Sequence, residues 1–381
     1  MRILIASGIY PPDIGGPATY AKVIANALIE KGHKVKVISY GEKSLQENSK
    51  FQIVRISRKW PKGIRYIIYF LKLFFLSRNT DLIFALNPVS VGFLVRIAAW
   101  ILRKKYVVRI VGDNAWEKAR VIRKTNLSIN DFQKAKKPGL TIKILSRLQA
   151  KTCQKAKMVI VPSNFLAEIV SGWNVDRHKI KVVYNGVDFK PPDISKEEAR
   201  EKIKISGDIV LSVGRLVPWK GFEALINIVP ELLRINPSFR LIIVGDGPEE
   251  KRLKRLVKKL GLESKVYLVG RKTKDELRNY YAAADLFTLN TGYEGFSHII
   301  LEAMAIGSPI ITTNVCGNPE IVKDSYNGLL VEYNNKKQLK EAILKLWKDK
   351  ELREKLTVNA KKSIEKFTKE KMVRETLKIL E

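Results

Sequence analysis

The chain is poor in the residues that build disulfides and metal sites. Its 381 residues include only two cysteines, Cys153 and Cys316, and three histidines. Two cysteines so far apart exclude a disulfide framework, and together with His33, His178 and His298 they match no metal-binding spacing. We therefore expect no metal or other cofactor, and a cytoplasmic location.

Long apolar runs are also lacking. The first residues, M-R-I-L-I-A-S-G, have no signal-peptide features. Two segments look membrane-like, Ile64–Leu76 and Val89–Leu102, but each is shorter than about 18 residues and contains Arg or Lys, so neither should span a bilayer. We expect helices that pack on a sheet. The alternative for the first segment is a helix lying at a membrane surface, because its aromatics and leucines are flanked by Arg65, Lys72 and Arg78.

Acidic residues are scarce relative to basic ones: 38 against 70, for a net charge of +32. Such a field attracts nucleic acid, anionic lipid or phosphorylated substrates. Many lysines lie on polar helix faces such as 251–259 and 336–348, where solvation explains them. No basic segment interleaved with aromatics matches a nucleic-acid motif, so nucleic acid is not an expected partner.

The length predicts two domains, and the pattern alternates between strand and helix from end to end. The Pro-rich K-P-P-D-I-S break marks the boundary between domain 1–189 and domain 190–368, and the terminal helix 369–381 is expected to pack back on the first. The expected fold is α/β, with two Rossmann-like, doubly wound domains facing a central cleft. The predicted strands are Arg2–Ala6, Lys34–Ser39, Phe51–Ile56, Asp81–Leu86, Tyr106–Val111, Met158–Val161, Ile180–Val183, Asp208–Val213, Arg240–Val244, Lys265–Val269, Asp285–Leu289, Pro309–Thr313 and Gly328–Val331.

The segment Asn290–Gly307 carries the most information. It reads N-T-G-Y-E-G-F-S-H-I-I-L-E-A-M-A-I-G and follows an apolar strand. Glu294 lies in a Gly-containing loop, and Glu302 lies in a helix expected to begin at Ser297. Both carboxylates should border the helix N-terminus, which favours an anion. This combination of an anion site with two hydroxyl-accepting carboxylates suits a sugar nucleotide. Spacing alone is weak support, because Glu223 and Glu231 have the same separation in an ordinary amphipathic helix.

Three further loops follow strands. The first, Ser7–Pro17, ends in Gly15 and Gly16, which let backbone approach a ligand. It is not G-x-G-x-x-G, and the second strand has no ribose-binding acid at its end, so a nicotinamide oxidoreductase is disfavoured. A plain tight turn is the alternative.

The second loop, V-G-R-L-V-P-W-K-G-F, places Arg215 and Lys220 where they can neutralise a diphosphate, and solvated surface is the alternative. The third, V-G-D-G-P around Gly245, is a nucleotide contact or a plain turn.

Together these motifs resemble those of the GT-B glycosyltransferases, specifically glycosyltransferase family 4, over essentially the whole chain. The resemblance implies a retaining, metal-independent transfer from a nucleotide-sugar, with a donor phosphate oxygen taking the acceptor proton. It implies that Glu294 binds donor-sugar hydroxyls, Glu302 the ribose, and Arg215 and Lys220 the diphosphate. The residues expected to contact the donor are Gly15, Gly16, Gly214, Gly245, Arg271, Gly295, Phe296, Ser297, His298, Ile299 and Glu302.

The chain departs from the family in one place. Many members have a histidine after the fifth strand, where this chain reads I-V-G-D-N-A-W-E, so Asp113 becomes a candidate for a sugar hydroxyl. His298 is expected to act through its backbone N–H.

The expected function is sugar transfer to a glycan or lipid-linked acceptor in the synthesis of an envelope polysaccharide or glycolipid, with anionic membrane contact at the inner face of the cell membrane. The alternatives are a GT-B sugar-nucleotide epimerase, a glycosyl phosphorylase, or a non-catalytic protein that binds a nucleotide-sugar or a polyanion. The base, sugar and acceptor are not assigned.

Overall fold

The computed structural model describes residues 1–13, 15–42 and 50–381, so that Ile14 of the predicted loop Ser7–Pro17 lies outside the described residues. The chain divides into two compact units. The first comprises Met1–Ala119, Ile129–Tyr184 and Glu370–Glu381, and the second comprises Arg120–Ser128 and Asn185–Lys369. The division precedes the predicted boundary at 189/190 by a few residues. Segment 120–128 belongs to the second unit, whereas the prediction placed it in the first domain.

The first unit is built on a seven-stranded parallel sheet in the order β3-β2-β1-β4-β5-β6-β7. In register, Ile3 of β1 lies between Val35 of β2 and Leu82 of β4. The strands are β1 (Arg2–Ser7), β2 (Lys34–Tyr40), β3 (Gln52–Ile56), β4 (Leu82–Ala85), β5 (Lys105–Arg109), β6 (Met158–Val161) and β7 (Ile180–Val182). The helices are α1 (Gly16–Glu30), α2 (Lys62–Arg78), α3 (Gly92–Ile101), α4 (Asn114–Val121), α5 (Ile129–Lys134), α6 (Gly139–Gln154) and α7 (Asn164–Ser171), with a 3-10 turn at Arg177–Lys179.

The second unit has a six-stranded parallel sheet in the order β10-β9-β8-β11-β12-β13. Its strands are β8 (Asp208–Val213), β9 (Phe239–Val244), β10 (Val266–Leu268), β11 (Leu286–Leu289), β12 (Ile310–Thr313) and β13 (Leu329–Val331). Its helices are α8 (Lys196–Ile203), α9 (Phe222–Ile235), α10 (Glu250–Lys259), α11 (Lys274–Ala283), α12 (His298–Ile306), α13 (Asn318–Ile321), α14 (Lys336–Lys348) and α15 (Lys350–Ile364), with 3-10 turns at Pro218–Lys220 and Glu365–Phe367.

All thirteen predicted strands are confirmed, with ends that differ by at most two residues. The prediction succeeded because strands of a parallel sheet with helices on both faces are buried throughout and therefore read as short apolar runs. In β1, for example, Ile3, Leu4 and Ile5 are all fully buried. The two parallel α/β domains of the expected fold class are therefore present.

The last helix, α16 (Lys369–Leu380), packs into the first unit. Met372, Leu377 and Leu380 join the apolar core formed by α1 and the central strands, and the hydroxyls of Tyr20 and Thr376 lie 2.8 Å apart. The apolar positions of α16 thus find their burial in the unit where the chain begins.

The two membrane-like segments form α2 and α3. Helix α3 buries Leu94, Val95 and Ala98, as expected for packing on a sheet. Helix α2 differs, because only Tyr69, Leu73 and Ser77 are buried along its length. Within the described parts of the chain, none of the helices combines the length and apolar character needed to cross a bilayer.

Candidate functional site

The candidate site in the second unit is formed by loops that follow neighbouring strands. Lys220 closes the 3-10 turn after β8, and Glu294 lies in the loop between β11 and α12. Because β8 and β11 are hydrogen-bonded neighbours in a parallel sheet, their carboxyl ends meet at one edge, where ligands bind in α/β folds. The structure brings these two predicted residues into direct contact: Lys220 Nζ donates to Glu294 Oε1.

The Lys220–Glu294 ion pair is poorly accessible to solvent. The exposed fraction is 9% for the Lys220 side chain and 18% for the Glu294 side chain. Removing charges from water is costly, and each is tolerated here because the other neutralises it. A ligand that supplies a negative group to Lys220 and hydroxyl donors to Glu294 can replace this pair without leaving either charge unpaired.

Side chains that the sequence prediction missed hold the two loops together. Asn290 Nδ2 donates to Gly221 O at 2.9 Å, and Thr291 Oγ1 donates to Trp219 O at 3.3 Å. A Cβ on Gly221 would lie 2.3 Å from Asn290 Nδ2, so this close approach requires glycine. Asn290 and Thr291 open the sequence motif, but their short polar side chains gave no specific signal.

Gly317, after β12, supports Glu294 from the other side. Its N–H donates to Glu294 O at 3.0 Å, and a Cβ at this position would lie 2.1 Å from Gly295 O. The neighbouring thiol of Cys316 is largely buried, and this burial raises its pKa to about 12. The loop that carries Glu294 is therefore held from two directions, by side-chain hydrogen bonds toward the loop after β8 and by a backbone hydrogen bond from Gly317. The sequence prediction also missed Gly317.

The helix after this loop begins one residue later than the predicted Ser297. Ser297 is the N-cap of α12, and its Oγ accepts a hydrogen bond from Ile300 N at 3.3 Å. His298 is the first helical residue. Phe296 is buried against Phe367, with ring centroids 5.3 Å apart, and its carbonyl accepts from Asn185 Nδ2 at 2.9 Å. Phe296 and Ser297 thus position the start of α12, while Ile299 O accepts from Tyr281 Oη at 3.2 Å.

Glu302 has a different environment from Glu294. It faces α11, where Tyr281 Oη donates to Glu302 Oε2 at 3.4 Å. Burial raises the pKa of the Glu302 carboxyl to about 7, against the opposing effects of Lys274 and the Tyr281 hydrogen bond. The two glutamates of the motif therefore differ in charge partner: one is paired with an ammonium group and the other with a phenol.

The remaining predicted residues of this unit lie at the ends of β8, β9 and β10. Arg215 is exposed, and Arg271 Nε lies 3.5 Å from Asp246 Oδ2 at an exposed ion pair. Gly214 N donates to Val244 O at 2.9 Å, and a Cβ on Gly245 would lie 2.0 Å from Gly214 O. Gly214 and Gly245 thus allow two strand-end loops to touch, a structural role that holds whether or not a ligand is bound.

The predicted residues Gly15, Gly16 and Asp113 belong to the first unit. Gly15 is the N-cap of α1, with φ 157°, and Gly16 is already the first helical residue, two positions before the predicted start at Ala18. The predicted loop is therefore shorter than expected.

The structure corrects the role that the sequence predicted for Asp113. Its side chain is buried, with 1% of the residue exposed. Oδ1 accepts from Ala115 N, Trp116 N and Gln149 Nε2 at 2.7–3.0 Å, and Oδ2 accepts from Gln133 Nε2 at 2.8 Å. Asp113 caps α4, and because it is buried with both oxygens already hydrogen-bonded, a sugar hydroxyl cannot reach it in this geometry; its predicted contact with the sugar therefore has no support here.

The structure also bears on metal binding. Within the residues it describes, no three His, Cys, Asp or Glu side chains converge in a way that could hold a metal ion.

Comparison with known proteins identifies the family. Residues 14–190 match Glycosyltransferase Family 4, and residues 193–363 match Glycosyl transferases group 1. An uncharacterized glycosyltransferase of Methanocaldococcus jannaschii is 28% identical over 100% of this chain and 97% of its own length. A Campylobacter jejuni N-acetylgalactosamine-N,N'-diacetylbacillosaminyl-diphospho-undecaprenol 4-alpha-N-acetylgalactosaminyltransferase is 30% identical over 56% of this chain and 57% of its own.

Among solved structures, Anabaena HepE in complex with UDP and glucose has a TM-score of 0.81 at 21% identity, covering 100% of this chain and 99% of that one. Its similarity shows the shared fold. The chain belongs to the GT-B glycosyltransferases, with a glycosyltransferase family 4 domain followed by a glycosyl transferases group 1 domain.

Proposed function

We propose that this enzyme transfers a sugar from a nucleotide-sugar donor to a glycan or lipid-linked acceptor, with retention of anomeric configuration and without a metal ion. The observation that carries the proposal is the Lys220–Glu294 ion pair, held at the carboxyl ends of β8 and β11 beside the N-terminus of α12.

The pair matches the two halves of a nucleotide-sugar. The diphosphate brings negative charge for Lys220, and the sugar brings hydroxyl groups that donate to the Glu294 carboxylate. Donor binding thus exchanges one ion pair for two new sets of contacts. The first N–H groups of α12 add a positive end at the same loop, and exposed Arg215 supplies a second cation.

These cations also account for the absence of a metal requirement in the proposal. As the bond between the anomeric carbon and the phosphate oxygen breaks, negative charge grows on the leaving diphosphate. Lys220 and Arg215 stabilise that charge more in the transition state than in the ground state. The acceptor oxygen bonds to the anomeric carbon on the same face, and its proton passes to an oxygen of the leaving diphosphate.

The acceptor class rests on the relatives. The Campylobacter protein is named for transfer to a diphospho-undecaprenol-linked sugar, which supports a lipid-linked acceptor in envelope polysaccharide or glycolipid synthesis for this chain. We further propose that the enzyme works at the inner face of the cell membrane, where such acceptors are accessible.

The test is a panel of uridine, guanosine and adenosine diphosphate sugars, supplied with a lipid-linked acceptor and with chelator present. We expect one donor to be consumed, and we expect NMR to show that the product retains the anomeric configuration of the donor. Glu294→Gln should lower the rate by about 100-fold or more.

Glu231→Gln is the matched control, because Glu231 lies in an exposed ion pair with Lys340 of the same unit and should leave the rate unchanged. An inverted product, or a rate restored only by added metal, contradicts the mechanism. Wild-type rates in Glu294→Gln contradict the site. Donor binding with no turnover on any acceptor would favour a binding protein.

A further inference from the structure

Helix α2 has two apolar faces instead of one. Its buried residues Tyr69, Leu73 and Ser77 recur every four positions on one side of the helix. On the opposite side lie Ile64, Ile67, Leu71 and Phe75, which are 46%, 61%, 49% and 60% exposed. An ordinary surface helix presents polar side chains there. Four large side chains in one stripe leave apolar area in water, which marks a surface used for contact.

Two neighbouring helices extend this surface. The crossovers that contain α2, α3 and α6 all advance in the same direction along the sheet, so right-handed connections place the three helices on one face. Helix α3 contacts both α2 and α6. The exposed side chains of this layer also include Trp100 of α3 (80%) and Leu140 of α6 (72%). We call this layer the α2–α3–α6 surface.

The charge of this surface has a single sign. Its three helices contain eight basic residues and not one aspartate or glutamate; the basic residues are Lys62, Arg65, Lys72, Arg78, Arg96, Lys143, Arg147 and Lys151. Across residues 1–13, 15–42 and 50–381, no carboxylate forms an ion pair with any of these eight. The guanidinium of Arg78 lies 6.0 Å from the centre of the Phe75 ring, so cation and apolar stripe are adjacent.

A groove of about 580 Å³ opens in the same layer beside Trp100. Arg96, Lys104 and Lys155 line it together with Ile97 and Ala99. The buried Nε of Arg96 has no hydrogen-bond partner among the described residues. An apolar floor with three cations suits a phosphate that is attached to a lipid chain.

We propose that the α2–α3–α6 surface docks on an anionic lipid bilayer, with the α2 stripe and Trp100 entering the interface and the basic residues binding lipid phosphates. The inference rests on the proposed action at a membrane and names the surface responsible. At 17 residues, about 25 Å, and with Lys72 within its length, α2 lies on a membrane but does not span it. A second copy of the chain fits poorly, because a symmetric contact would bring these basic residues against themselves.

The experiment is flotation of the full chain with vesicles of phosphatidylcholine alone or with about one-third phosphatidylglycerol. We expect binding to the anionic vesicles only, and release at about 1 M salt. Ile67→Ser/Leu71→Ser/Phe75→Ser should weaken binding by about tenfold or more, and Lys72→Gln/Arg78→Gln should weaken it by about five- to tenfold. All five side chains point outward, so the fold is expected to survive.

Matched controls lie in the second unit. Ile235→Ser/Val358→Ser removes side chains of similar exposure, and Lys348→Gln/Lys355→Gln removes two exposed charges. Both should bind vesicles like the wild type. Equal binding to neutral and anionic vesicles, or an equal loss in the controls, overturns the proposal. So does a concentration-dependent dimer that the stripe variant disrupts while vesicle binding is absent. Sugar transfer to a water-soluble acceptor is measured in parallel, so that a failed membrane surface is distinguished from a failed reaction.

Discussion

The two units of this chain carry their positive charge in different ways. The first has 34 basic and 13 acidic residues, a balance of +21, and the second has 36 and 25, a balance of +11. In the second unit, acids alternate with bases along helices and form ion pairs, such as Arg252 with Glu223 and Glu249. In the first unit, three adjacent helices have no acid at all.

The first unit thus has a surface that binds through its overall positive field, whereas the second has a site that binds through one particular ion pair. The unpaired charges of α2, α3 and α6 attract any anionic surface, and salt screens them. The Lys220–Glu294 pair is largely withdrawn from water and is therefore less sensitive to salt. The comparison predicts that membrane binding and donor chemistry can be impaired independently.

The largest expected effect is on transfer by Lys220→Met. Loss of the cation that meets the leaving diphosphate should reduce kcat about 100- to 1000-fold, with vesicle binding unchanged. Steady-state kinetics measure the loss of transfer, and flotation of the same variant measures its vesicle binding. Lys340→Met removes the partly buried partner of Glu231 and should keep full activity. Reduced vesicle binding in Lys220→Met would mean that the two units do not act separately.

Asp113→Ala probes an acid of the first unit that serves structure alone. The variant leaves the first N–H groups of α4 and two glutamine amides without their acceptor, so the free energy of unfolding should fall by about 2–4 kcal/mol. Denaturant unfolding measures the loss. The donor KM should not change. Asp176→Ala, at an exposed 3-10 turn, is the control and should cost less than about 1 kcal/mol. A raised donor KM with normal stability would restore the functional role that was predicted from the sequence.

One glycine substitution in each unit should change stability in opposite directions. Gly317→Ala places a Cβ against Gly295 O and should destabilise the second unit by about 1–3 kcal/mol while lowering transfer. Gly63→Ala, inside α2, meets nothing within 4 Å and should stabilise the protein by about 0.5–1 kcal/mol. Thermal unfolding of both variants is the measurement. Equal and small effects would mean that the Glu294 loop tolerates displacement.

The pH dependence of stability should depend on the buried carboxyl of Glu302. Because burial raises the folded-state pKa of Glu302 from its usual 4.5 to about 7, the folded state holds this proton more tightly than the unfolded state. The associated stabilisation is complete below about pH 4.5 and is lost as the pH rises through 7; it amounts to about 1–3 kcal/mol. Melting temperatures between pH 5 and 8 should therefore fall less steeply with rising pH in Glu302→Gln than in the wild type. Tyr281→Phe removes the hydrogen bond that lowers this pKa, so it should extend the fall to higher pH. Identical profiles in all three proteins would contradict the assignment.

The strands, the order of the two domains and, to within one residue, the start of α12 could be predicted from the sequence, because each depends on local signals. Buried parallel strands are short apolar runs, and a serine before an apolar helix is an N-cap. The sequence also predicted that Lys220 and Glu294 lie in loops at the ends of strands. Their pairing was decided only by the strand order, which makes β8 and β11 neighbours although they are far apart in the chain.

Tertiary structure also decided what each polar or apolar side chain faces. Asp113 looked available for a ligand until Gln133 and Gln149, from two later helices, filled its oxygens. The apolar residues of α2 were expected to pack on the sheet, and only the tertiary structure shows that they divide into a covered face and an exposed one. The type of a residue indicates whether its side chain tolerates burial. Which other side chains surround it depends on contacts between segments that are distant in sequence.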